Sequence, residues 1–184
     1  MGTLDYLKNF FGDKNVASIT PSSEFTVKKV CQYIPFEKDL TIVEYGPGDG
    51  VFTRYILEKM TKDSRLFAFE TNDGFVKILK DINDTRLKVY HESAANVAKV
   101  LEEEGVSTAD YVISGIPFSF IPEEPKREIV KATSKVVGKT GRFLVYQTSK
   151  HMVPYLKEAF AHVDTELELK NIPPMSIMRA YQET

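Results

Sequence analysis

Ile42-Val43-Glu44-Tyr45-Gly46-Pro47-Gly48-Asp49-Gly50-Val51-Phe52-Thr53 is the stretch that decides the fold. An apolar, β-prone run enters three glycines at alternate positions, and a helical pattern leaves them. Glycine permits a tight turn and lets backbone approach a ligand closely. The first turn of the following helix adds N–H groups that have no partner within the helix. Spacing then separates ligand classes. A dinucleotide-binding turn reads G-x-G-x-x-G, which from Gly46 requires glycine at position 51, where this chain has Val51. No Gly-Lys-Ser/Thr follows, so a phosphate-binding P-loop is excluded.

Outward from the turn, short β-rich runs alternate with helical patterns. The strand candidates are Leu40–Tyr45, Leu66–Glu70, Leu87–His91, Tyr111–Ser114 and Arg142–Thr148. Between them, Phe52, Tyr55, Ile56 and Met60 recur at helical spacing, as do Phe75, Ile78, Leu79 and Ile82. Ala94–Glu104 and Lys126–Val137 repeat the pattern. Strand, helix, strand, helix implies a parallel sheet covered on both faces. Tyr111-Val112-Ile113 reads as a continuous apolar run, as a doubly covered strand requires. After a helix at His151–Ala161, two strand-like runs, His162–Lys170 and Ser176–Gln182, are joined by Asn171-Ile172-Pro173-Pro174. So short a connection implies an antiparallel pair. The expectation is an α/β, Rossmann-like doubly wound sheet, mostly parallel, with an antiparallel C-terminal hairpin and helices on both faces. Residues 1–184 are read as one domain, with 1–38 an N-terminal helical extension. In that extension Leu4, Leu7, Phe10 and Phe11 form an amphipathic stripe, and Ser22 or Ser23 can cap a second helix, Glu24–Tyr33.

Composition removes other classes. Among 184 residues, 24 basic and 26 acidic side chains leave a net charge of −2, so the basic footprint of a nucleic-acid binder is missing. Cys31 is the only cysteine, which excludes an intrachain disulfide and a Cys-based zinc site. His91, His151 and His162 are scattered, which argues against a metal enzyme. The longest charge-free stretch, Tyr111–Pro122, has twelve residues, short of the roughly 20 that a membrane span needs. No secretory leader is visible, and Tyr6 stands where N-myristoylation wants Ser or Thr. A cytoplasmic protein, at most peripheral to the inner face of the membrane, is the expectation.

The G-x-G-x-G spacing resembles that of S-adenosylmethionine (SAM) methyltransferases. That resemblance implies SAM as cofactor, held by Glu44, Gly46, Gly48, Gly50, Phe52, Thr53 and Ser114. Glu70 ends the second strand, twenty residues past Gly50, where a carboxylate can accept from both ribose hydroxyls. Glu92, with Ser93 beside it, follows the third strand and matches the position that accepts from the adenine amine in such enzymes. The fourth strand opens into Ser114-Gly115-Ile116-Pro117-Phe118-Ser119-Phe120. A parallel sheet binds its ligands beyond the carboxyl ends of its strands, so this loop is where a methyl acceptor meets the cofactor. Pro117 stiffens it so that carbonyls face an amine. Phe118 and Phe120 offer apolar walls or cation–π faces, and Tyr146 on the fifth strand offers a wall or a hydrogen bond.

Two related families share these features. Ribosomal RNA adenine dimethyltransferases carry Asn-Leu-Pro-Tyr in this loop, and bacterial phospholipid N-methyltransferases a loop resembling Ser-Gly-Leu-Pro. Ser114-Gly115-Ile116-Pro117, Pro21-Ser22-Ser23 and Asn171-Ile172-Pro173-Pro174 are similar to the second. The resemblance implies methyl transfer to an amine nitrogen, with Ser114, Gly115, Ile116, Pro117, Phe118 and Tyr146 at the acceptor and an ethanolamine-type phospholipid as the substrate. A membrane surface would be met through residues 1–14, although the same stripe can equally pack on the sheet. An rRNA adenine N-methyltransferase and a SAM-binding module without activity are the alternatives.

Overall fold

The structure, a computed structural model, describes residues 24–169 and 173–183. The stripe at Leu4–Phe11, the Ser22/Ser23 cap and Asn171-Ile172 lie outside the described residues. Within them the chain runs α1 (Glu24–Cys31), β1 (Thr41–Tyr45), α2 (Val51–Lys59), β2 (Arg65–Glu70), α3 (Asp73–Lys80), β3 (Leu87–His91), α4 (Val97–Glu103), β4 (Ala109–Ser114), α5 (Glu123–Val136), β5 (Val137–Gln147), α6 (Val153–Ala159), β6 (His162–Glu168) and β7 (Met175–Tyr181). Short 3₁₀ turns at Ala94–Asn96 and Phe118–Phe120 precede α4 and α5.

The seven strands lie in the order β3-β2-β1-β4-β5-β7-β6. The first five are parallel, and β7 pairs antiparallel with both β5 and β6. This is the doubly wound sheet with an antiparallel C-terminal hairpin that the alternation implied. Strand order reverses between β1 and β4, so a crevice opens beyond their carboxyl ends.

Alternate residues of each strand feed two cores. Ile42, Leu66, Ile113, Leu144 and Ile177 meet α1 and α2 on one face, through Val27, Val30, Phe52 and Ile56. Val43, Phe67, Phe69, Val112 and Phe143 meet α4, α5 and α6 on the other, through Val97, Ile129 and Leu156. Each fully buried apolar side chain contributes roughly 1.5–3 kcal/mol. Tyr45 buries its ring edge-on between Phe69 and Phe143, and its hydroxyl pairs with Thr133 at 3.1 Å. The core therefore fixes the last residue before the glycine turn.

Several boundaries and faces differ from expectation. β5 starts at Val137 rather than Arg142, because Val137 pairs with Ala109 and a register shift at Ala109/Tyr111 absorbs Gly138–Gly141. On α3 the buried residues are Val76 and Leu79, while Ile78 is exposed. Helical spacing alone did not fix which side meets the sheet. Glu104, just past the end of α4, accepts from Lys88 and Tyr90. His91, at the end of β3, is exposed, with Nε2 3.0 Å from the Thr71 carbonyl.

Arg86 closes the end of α2. Its guanidinium donates to the carbonyls of Leu57 (2.7 Å), Met60 (2.9 Å) and Thr61 (3.2 Å), and pairs with Asp84 at 2.6 Å. A cation there satisfies carbonyls that the helix leaves open. Arg86→Ala is expected to lower unfolding stability by about 2 kcal/mol, read from the urea midpoint. A loss below about 0.5 kcal/mol, the range of ordinary surface substitutions, would contradict the assignment.

Candidate functional site

β1 delivers the chain into the crevice, and the turn at Gly46–Gly50 carries it back into α2. Gly46, Gly48 and Gly50 have φ of +63°, +58° and +85°, a region costly for other residues. The turn is pinned from three sides. Gly46 N donates to the Phe69 carbonyl of β2 at 2.9 Å, Gly50 N to the Pro47 carbonyl at 3.0 Å, and Gly48 N to Glu70 Oε2 at 3.1 Å. A methyl group placed on Gly48 would meet nothing within 4 Å. The backbone of the turn therefore faces open space, which suits close approach by a ligand.

Glu70 is buried at the end of β2. Its Oε1 also accepts from the N–H groups of Thr71 (2.8 Å) and Asn72 (2.9 Å). A carboxylate offers about four acceptor positions, so three are engaged and about one faces the crevice. Gripping both ribose hydroxyls thus needs one of these loop bonds to yield. Burial raises the Glu70 carboxyl above the usual range, opposed by those three N–H groups and by His91.

Glu44 lies beneath the turn, also buried, and accepts from the Thr53 hydroxyl of α2 at 2.7 Å. Burial, and secondarily the field of Glu70, pushes its carboxyl up to about 8. Phe52, one position before Thr53, stacks on Tyr146 with ring centroids 4.6 Å apart. Glu92 Oε1 accepts from Ser93 N (2.8 Å) and Asn96 Nδ2 (2.9 Å). Ser93 is buried and caps the 3₁₀ turn, accepting from Ala95 N at 3.2 Å.

The loop after β4 packs directly on the glycine turn. Gly115 N donates to the Tyr45 carbonyl at 2.9 Å, and a methyl on Gly115 would fall 2.5 Å from Tyr146 Oη and 3.0 Å from the Gly46 carbonyl oxygen. Only glycine fits there. Ser114 Oγ accepts from Ile116 N at 3.3 Å. The carbonyls of Ile116, Pro117 and Phe118 already accept from the N–H groups of Phe118, Phe120 and Ile121. What they can offer an amine is reduced to their second lone pairs. Phe118, expected to wall the acceptor, is fully buried in the core beneath the loop, and the outward-facing aromatic is Phe120, 55% exposed.

Sequence reasoning missed a polar group closing the loop. His151 Nδ1 lies 2.6 Å from Ser149 Oγ, 3.3 Å from Gln147 Nε2 and 3.5 Å from Ser119 Oγ. Burial, then the field of Lys126, holds the imidazole below its ordinary range, while the Phe118 backbone opposes this. The available signal was position alone, immediately past the carboxyl end of β5.

The turn and the buried carboxyl each carry a test. Gly48→Val is expected to fold with a loss of about 1–2 kcal/mol and to lose S-adenosylhomocysteine binding, measured by calorimetry. Unchanged affinity would contradict the turn's assignment. For Glu44 the folded carboxyl titrates near 8 and the unfolded one near 4.5. The folded state therefore holds the extra proton, and stability from this group is present below 4.5 and lost as pH rises through 8. Glu44→Gln is expected to flatten the decline in denaturation midpoint over that window. An identical pH profile in both proteins would contradict the assignment.

Comparison with known proteins places this geometry. The sequence profile of the ribosomal RNA adenine dimethylase family matches residues 5–141. An ornithine lipid N-methyltransferase of Singulisphaera acidiphila is 27% identical over 168 residues, 86% of this chain and 84% of that protein. The ribosomal RNA small subunit methyltransferase A of Pelagibacter ubique is 28% identical over 100 residues, 52% of this chain and only 36% of its own length. Among solved structures, the N-methyltransferase NodS of Bradyrhizobium japonicum WM9 with S-adenosylhomocysteine shares the fold, with a TM-score of 0.73 at 9% identity over 100% of both chains. With the profile covering well over half its length, the chain belongs to the ribosomal RNA adenine dimethylase family and is a class I SAM-dependent methyltransferase.

Proposed function

We propose that this enzyme moves a methyl group from SAM to the amine nitrogen of a membrane-lipid headgroup, of the ethanolamine type or a close chemical relative. The observation that carries this reading is the extent of the match to the ornithine lipid enzyme, which runs through most of both chains. The match to the curated ribosomal RNA enzyme stops at about a third of that protein. Two features of the chain add support. Gly115 replaces the amide side chain expected of an adenine-binding loop, and a net charge of −2 gives little to neutralise RNA phosphates.

The cofactor supplies a methyl group on a positively charged sulfur, so an in-line nitrogen lone pair suffices. The chain's own part is positioning, water exclusion and electrostatics. In this reading Glu70 and the Gly46–Gly50 backbone hold the nucleoside, with Glu44, Phe52, Thr53, Glu92 and Ser93 around it. The loop Ser114-Gly115-Ile116-Pro117-Phe118, with Tyr146 behind it, sets the nitrogen. An alkyl amine has a pKa of roughly 10, and desolvation against Ile116, Phe120 and Tyr146 favours its neutral, nucleophilic form. Residues 1–14 are proposed to meet the bilayer through Leu4, Leu7, Phe10 and Phe11. No helix among the described residues is long and apolar enough to cross a membrane.

RNA is the second reading, because the family profile carries the name of an RNA adenine dimethylase. Tritiated-methyl transfer from SAM separates the two, using vesicles of phosphatidylethanolamine, vesicles containing ornithine lipid, and structured ribosomal RNA. Label is expected in the lipid phase. Label in RNA with none in either lipid would overturn the proposal.

A further inference from the structure

An amine that is to be methylated needs an acceptor for its N–H, so that its lone pair is held along the bond being formed. The loop after β4 offers little of that. Its carbonyls at Ile116, Pro117 and Phe118 already accept from the N–H groups of Phe118, Phe120 and Ile121. Among the described residues, three buried side-chain polar atoms have no hydrogen-bond partner: Gln147 Oε1, His151 Nε2 and Arg179 Nε. Buried polar atoms are otherwise paired in folded proteins, and leaving one bare costs free energy. Arg179 Nε can only donate, and its guanidinium lies over the Tyr33 ring, 4.3 Å from the centroid. The other two atoms belong together, at the carboxyl end of β5.

Register places Gln147 beside the loop. Val145 of β5 pairs with Ser114 of β4, and Gln147 stands two residues further on, past the point where β4 ends. This is the edge at which a parallel sheet takes its ligands. Gln147 ends β5 and is 7% exposed. It continues the face of Phe143 and Val145, whose core also contains Phe118 and Met152. Its amide nitrogen is engaged, 3.3 Å from His151 Nδ1. That same Nδ1 lies 2.6 Å from Ser149 Oγ and 3.5 Å from Ser119 Oγ in the loop after β4. With donors directed at Nδ1, the ring proton belongs on Nε2, which makes His151 Nε2 a donor. Of the three unpartnered atoms, Gln147 Oε1 is then the acceptor.

We infer that Gln147 Oε1 accepts a hydrogen bond from the amine nitrogen of the methyl acceptor. The inference rests on the amine-acceptor reading above and names the group that holds the nitrogen. A neutral amide suits the task. A carboxylate in its place would favour the protonated amine, which has no lone pair to give. In the transfer the nitrogen lone pair forms the new N–C bond and the S–C bonding pair passes to sulfur. A proton then leaves the alkylammonium for water, and Gln147 neither gives nor takes one. Oε1 is covered in the structure, so the acceptor displaces part of its cover to reach it. The Ser119 tie to His151, at 3.5 Å, is the weakest of the three at Nδ1.

The test is tritiated-methyl transfer to vesicles of phosphatidylethanolamine and vesicles containing ornithine lipid, followed across pH. Gln147→Met, close in size and without the acceptor atom, should lower kcat/KM about tenfold, the loss of one hydrogen bond. Its affinity for S-adenosylhomocysteine, measured by calorimetry, should stay unchanged and so report an intact fold. Gln147→Glu restores an acceptor and adds charge. It should move the pH of half-maximal rate upward, because a carboxylate beside the amine holds its proton. Unchanged kcat/KM in Gln147→Met, with only the denaturation midpoint moved, means that Oε1 holds an ordered water, and overturns the inference. An identical pH profile in Gln147→Glu overturns it as well. The Gln147 side-chain amide resonances are followed separately, in enzyme saturated with S-adenosylhomocysteine and titrated with ethanolamine. A saturable shift there without label in either lipid sinks the lipid reading and leaves Gln147 in its role. Lipid label that neither variant alters does the reverse, and neither label nor shift overturns both.

Discussion

The fold turns on one hydrogen-bonded junction, where the Glu70 carboxylate at the end of β2 receives the N–H of Gly48 in the neighbouring turn. Three residues in the left-handed region allow β1 to reverse into α2 within five positions. The Glu70 bond and the Gly46 bond to Phe69 fix that reversal against β2. The direction of α2 then places Phe52 on Tyr146, and the hydroxyl of Tyr146 leaves room for nothing larger than glycine at position 115. The glycine turn and the Ser114–Phe120 loop are thus one packed unit. A displacement in either would be felt by the other, because a close-packed interior transmits strain.

Electrostatics at this edge run against ordinary burial. Glu44 and Glu70 are both withdrawn from water and both raised, each by desolvation first, and Glu70 adds a repulsive field at Glu44. Such a pair is expensive to keep for stability alone. It is understandable where the resident ligand is cationic at sulfur, and perturbed carboxyls in a crevice mark functional edges in general.

Much of this was legible in the chain because the signals were local. Continuous apolar runs such as Tyr111-Val112-Ile113 declared buried parallel strands, and Gly46, Gly48 and Gly50 declared the turn. The short connection before Ser176 declared the hairpin. What was illegible depended on tertiary choice. Helical spacing on α3 could not say whether Val76 or Ile78 faced the sheet. Pro117 suggested outward carbonyls, but the chain tightened into a 3₁₀ turn that consumed them and buried Phe118. His151 had no motif at all; Gln147 and Ser149 precede it at the end of β5, and Ser119 comes from the separate loop after β4.

The central claim is that the 46–50 backbone and the Glu70 carboxylate together hold the cofactor's nucleoside. A crystal structure of the S-adenosylhomocysteine complex tests it most directly. The account predicts the adenosine across the glycine turn, with a ribose hydroxyl donating to Glu70 at about 2.7 Å. A nucleoside lodged elsewhere, with Glu70 still bound only to Gly48, Thr71 and Asn72, would contradict it.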